Sequence, residues 1–189
     1  MKIQSLIMLA TLFCCIHVNC QEEEQYDLRI FFTNYKNYKI AYQKSEKNTQ
    51  IIIHKEISRT NISNSDYLKM KKIVTEEEND GLRKLIQIGE NYREYETDTL
   101  IIKNGSSIVE IVDNFVENWE RNKSHQESYP ENRLILDGYG LIIFLKKNNI
   151  TYESISVRTP TAQSHPEIFE LYSKIESFYK KNAKKPVIE

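Results

Sequence analysis

Tyr26-Asp27-Leu28-Arg29-Ile30-Phe31-Phe32 places apolar residues at every second position, and the same period of two returns at Tyr38, Ile40 and Tyr42. Side chains alternate across a strand, so this pattern predicts half-buried β-structure with one apolar face. Ser45-Glu46-Lys47-Asn48 is a four-residue polar break leading into Gln50 to Ile57 (QIIIHKEI), and the runs on either side of it pair as a β-hairpin. Farther on, Leu134-Ile135-Leu136 ends in Asp137-Gly138, Leu141 to Leu145 follows, and Asn148-Asn149 precedes Ile150, Tyr152, Ile155 and Val157. That order predicts a three-stranded meander. Hairpins and a meander, without alternating βαβ units, give an α+β domain whose mainly antiparallel sheet has about six strands and its helices packed on one face.

The helices announce themselves by caps and spacing. Ser63-x-x-Asp66 resembles a capping box, with Tyr67, Met70 and Val74 following, so a helix starts near Asn64. Thr75-x-x-Glu78 is a second possible cap ahead of Leu82, Leu85 and Ile86, with Gly89 as a stop; one bent helix and two separate ones both fit. Thr99 to Lys103 reads as a short strand ended by Asn104-Gly105. Ser107-x-x-Glu110 caps the clearest helix, whose stripe is Ile108, Ile111, Val112, Phe115, Val116 and Trp119. Asn122 to Asn132 is polar and contains Pro130, which predicts a surface loop. Ser164-His165-Pro166-Glu167 opens the last helix, with Ile168, Leu171, Tyr172, Ile175, Phe178 and Tyr179 on its buried face and a frayed Lys-rich end from Lys180 to Lys185.

All three cysteines, Cys14, Cys15 and Cys20, lie in the first 20 residues of the 189. There Lys2 precedes an apolar run from Ile3 to Ile16 that is too short to span a bilayer as a helix, the pattern of an export signal. The chain therefore divides into a signal peptide, 1–20, and a single thiol-free domain, 21–189. Removing the signal takes away one lysine and no acid, leaving 25 basic against 27 acidic residues. A balance so close to neutral offers nucleic acid no electrostatic footing.

Cys20 followed by Gln21-Glu22-Glu23-Glu24 resembles the processing site of bacterial lipoproteins. The resemblance covers only about the first 24 residues. It implies that Cys20 becomes the new N-terminus and carries the lipid, and the acidic run is similar to a signal for the outer face of the outer membrane. His17-Val18-Asn19 departs from the family's preferred Leu and small residue before the Cys. The alternative is an ordinary signal peptide cut near Asn19 or Cys20, releasing a soluble secreted protein.

No G-x-S-x-G, H-E-x-x-H, phosphate loop, G-x-G-x-x-G or CxxC occurs. His54, His125 and His165 are scattered without metal-ligand spacing, so the sequence implies neither metal nor cofactor. His54 and Glu56 share one strand face, the geometry of an oriented general base, although a solvated charged face explains them better, since neither a nucleophile nor a third group accompanies them. Asp137-Gly138-Tyr139-Gly140 would let backbone approach a ligand, or it is simply a turn. Twelve tyrosines against one tryptophan supply flat amphipathic surfaces suited to a protein or glycan partner. The preferred expectation is a non-catalytic binding or accessory module of the cell envelope, touching membrane only through a lipid at Cys20. The rivals are a secreted hydrolase built from His54, Glu56, Asp137 and Tyr139, and an envelope inhibitor or immunity-type protein.

Overall fold

The computed structural model describes residues 24–33, 36–76, 80–103, 105–127 and 138–188. Seven strands form one antiparallel sheet: β1 Tyr26–Thr33, β2 Tyr38–Lys44, β3 Thr49–Arg59, β4 Arg93–Ile102, β5 Gly140–Lys147, β6 Ile150–Thr151 and β7 Ile155–Arg158. Their order is β4-β3-β2-β1-β5, and β6 and β7 both pair with the outer edge of β5. The expected α+β class and antiparallel sheet are what is found. The Ser45–Asn48 break closes the β2–β3 hairpin, where the Ser45 amide and hydroxyl both donate to the Asn48 carbonyl at 3.0 Å.

The pleat sorts the side chains as the sequence implies. Leu28 and Ile30 of β1, Ile51 and Ile53 of β3, and Leu141, Ile143 and Leu145 of β5 are all fully buried on one face. Each such aliphatic contributes about 1.5–3 kcal/mol by leaving water. Onto this face pack α3 Ser107–Glu117, α4 Trp119–Glu127 and α5 Pro166–Asn182. From α3 come Ile108, Val112, Phe115 and Val116, and from α5 Ile168, Leu171, Tyr172, Ile175 and Tyr179. Polar contacts fix the seams. Asp113 accepts from the Tyr26 hydroxyl at 2.7 Å and from Lys44 Nζ at 2.8 and 2.9 Å, and the Tyr179 hydroxyl donates to Asp98 Oδ2 at 2.5 Å.

The remaining helices, α1 Asn64–Thr75 and α2 Gly81–Glu90, form a hairpin over the opposite face. Helices on one face thus describes α3 and α5 but not this pair. Two helices form where the sequence left one or two open, because Asp80 at φ 65° turns the chain between them. The Ser63 cap is as expected, its hydroxyl accepting from the Asp66 amide at 3.2 Å. No helix among the described residues is long and apolar enough to cross a membrane.

Five local expectations change. The polar run from Asn122 to Glu127 is helical, continuing α4, because Trp119 anchors it in the core and Asn122 Nδ2 donates to the Phe115 carbonyl at 3.1 Å. β4 begins at Arg93, six residues before the expected strand, since backbone pairing with β3 outweighs the poor strand propensity of REYETD. The caps of α3 and α5 sit at Ser106 and His165; Ser164 instead closes a turn, its hydroxyl accepting from the Thr161 amide at 2.9 Å. Past α5 the tail is docked, with Ile188 buried and the Val187 amide donating to the Tyr179 hydroxyl at 3.1 Å. Of the expected meander, Leu134–Leu136 and Asp137 lie outside the described residues, and its last strand splits into β6 and β7 around Tyr152–Ser154.

Candidate functional site: a cationic and apolar cleft

Between the α1–α2 hairpin and the sheet lies a cleft of about 1140 Å³. Its floor follows from the strand register, which sets three rows of outward side chains across β5, β1, β2 and β3. The rows read Lys146-Asp27-Gln43-Gln50, then Phe144-Arg29-Ala41-Ile52, then Ile142-Phe31-Lys39-His54. Apolar and cationic groups are interleaved. The roof comes from Lys69, Lys72 and Ile73 of α1 and from Arg83, Ile86 and Ile88 of α2.

The hairpin stands off from the sheet. Ile73 is the sole buried residue of α1, and α2 has none, although Leu82, Leu85 and Ile86 fall on one side of it. An amphipathic helix ordinarily buries that side. What ties α2 down is polar: Glu90 forms an ion pair with Lys39 and accepts from the Tyr95 hydroxyl at 2.7 Å. At the other end, the Arg83 guanidinium lies 4.7 Å over the Phe144 ring, with a long 3.5 Å contact from Nη2 to the Tyr152 carbonyl.

Seven Lys or Arg and only two carboxylates line the cleft, in a chain whose overall charge is −1. Both carboxylates are engaged, Glu90 by Lys39 and Asp27 by Arg29, whose Nε and Nη2 reach Asp27 Oδ2 at 2.9 and 2.7 Å. Lys39 Nζ lies 3.9 Å over the Tyr95 ring; burial, reinforced by Arg29 and Arg93, pushes its ammonium down to about 8. Two polar atoms in the walls are buried without a partner in the protein, Arg83 Nε and Asp27 Oδ1. Unmet buried polar groups are costly.

Of the residues named for a hydrolase, the described ones, His54, Glu56 and Tyr139, are not brought together. His54 lines the cleft, its Nδ1 2.9 Å from Thr97 Oγ1 and its pKa lowered by burial and by Lys39 and Arg29. Glu56 is instead held by Arg59 at 2.9 and 3.1 Å and by Arg93 at 3.2 Å, and the Arg59 hydrogen bonds keep its carboxyl below the usual range. Tyr139 packs on the other side of the sheet, its hydroxyl 2.8 Å from that of Tyr172. Asp137 and Cys20 lie outside the described residues.

Arg29, Lys39, Arg83 and Phe144 were not singled out by the sequence reading. The available signal was the unbroken apolar run at Ile51–Ile53 and again at Leu141–Leu145, which marks strands covered on both faces. Comparison of the chain with family models, curated proteins and solved structures finds no match.

Proposed function

We propose that the protein is an exported component of the cell envelope whose α+β domain is a non-catalytic binding module, holding a ligand between the α1–α2 hairpin and the sheet. The observation that carries this is the roofed cleft of about 1140 Å³, in which Phe31, Ile52 and Phe144 of the sheet face Ile73, Ile86 and Ile88 of the hairpin. Pockets that hold small molecules are concave and combine apolar surface with placed polar groups, and this cleft combines both, with a more cationic wall than most. The dispersal of His54, Glu56 and Tyr139 over separate environments favours binding over catalysis. Export rests on the apolar run after Lys2, and tethering on Cys20; mass spectrometry of the mature N-terminus in a membrane fraction reads both, with an acylated Cys20 as the tethered outcome.

Titration with the neutral fluorophore N-phenyl-1-naphthylamine tests the cleft. The purified full chain should bind it saturably at one site. Ile52→Trp on the floor and Ile88→Trp on the roof should each weaken binding about tenfold or more by filling the space, with circular dichroism unchanged. Binding that does not saturate, or that ignores both substitutions, contradicts the proposal.

A further inference from the structure

We infer that the occupant of this cleft is an anionic amphiphile, a single apolar chain ending in an acidic head group, taken up as a free molecule. The inference rests on the binding role proposed above and names the chemistry that role serves. Two properties of the walls have to be met together. Phe31, Ile52, Ile73, Ile86 and Ile88 present apolar surface that a small hydrophilic anion would leave wet. Arg29, Lys39, Lys69 and Lys72 already pair with Asp27, Glu90, Asp66 and Glu76, whereas Arg83 and Lys146 have no ion pair among the described residues, and a neutral apolar ligand would leave these two charges unmet.

The head group has an identifiable place. Arg83 lines the cleft with its guanidinium stacked on Phe144, so the group is already oriented and desolvated on one side. Lys146 lies two residues beyond Phe144 on the same strand face and lines the same cleft. A carboxylate there accepts charge-assisted hydrogen bonds from both, which are about twice as strong as neutral ones. Asp27, paired with Lys146 across the strands, is partly neutralised by Arg29 at Oδ2, and the head group lies on the Arg83 side of Lys146, away from the unmet Oδ1. From this end the chain runs over Ala41 and Ile52, beneath Ile86 and Ile88 of α2.

Calorimetric titration of the purified full chain with decanoate, 1-decanol and decyltrimethylammonium, all kept monomeric, tests the inference. Decanoate should bind at one site about tenfold or more tightly than the other two, and its affinity should fall as salt is raised. Arg83→Gln should lower decanoate affinity about tenfold while leaving 1-decanol unchanged, and Lys146→Gln offers an independent variant should the first not fold. Equal affinity for all three chains overturns the acidic head group, and so does a decanoate affinity insensitive to both variants. Inorganic phosphate or a short single-stranded oligonucleotide binding as tightly as decanoate overturns the amphiphile. These failures leave the binding role standing as long as N-phenyl-1-naphthylamine still binds; loss of that signal brings down the role itself.

Discussion

His54 shows how one side chain's neighbourhood fixes its chemistry. On β3 it faces Lys39 across one strand and Thr97 across the other, with Arg29 one row away. Burial and these two cations both disfavour the imidazolium, so its pKa lies below the ordinary 6.5 and the ring is neutral at pH 7. The unfolded chain takes up this proton near 6.5 and the folded one only at lower pH. Stability therefore falls as pH drops from about 6.5 toward the folded value, and is flat in this group above about 6.5. The expected result is a urea midpoint that declines less for His54→Gln than for the parent between about pH 8 and about pH 5. Parallel declines would show that His54 is not held in this way. The same crowding of cations explains why Glu56, two residues along the strand, serves Arg59 and Arg93 instead of the imidazole.

At the scale of elements, long apolar stripes decided what the sequence could foretell. The stripe from Ile108 to Trp119 and that from Ile168 to Tyr179 both find the sheet, because each buries enough surface to override small errors of cap position. The lysines from Lys180 to Lys185 predict a frayed end, yet α5 runs on to Asn182, and Ile188 beyond that stretch is 5% exposed. Ile188→Ala should therefore cost about 2–4 kcal/mol, measured by denaturant unfolding, where a frayed end would cost nothing. Edges were harder to read than the core: the Arg93 to Asp98 half of β4 carries strand pairing without an apolar face, so no periodicity marks it. The α1–α2 hairpin was visible as helices but not in its placement. Its packing is sparse, and the polar links of Glu90 and Arg83 that hold it over the sheet join residues far apart in sequence.

Taken whole, the molecule is a sheet with two unlike faces. One is sealed by α3 and α5 into a continuous core; the other is roofed by a hairpin that buries only Ile73. Composition could not show this, since an overall charge of −1 averages a cationic cleft with an acidic remainder. Elements with few buried contacts open at low free energy, so α1 and α2 open more readily than the central strands they cover, and a ligand bridging both walls stabilises them directly. Amide hydrogen exchange with and without decanoate tests this most directly. In the free protein α2 should exchange much faster than β1; decanoate at about 100 times its Kd should slow α1 and α2 by up to about a hundredfold, leaving α3 and α5 unchanged. A hairpin as protected as β1 before any ligand is added, or one whose exchange does not respond to bound decanoate, would contradict a ligand-holding cleft.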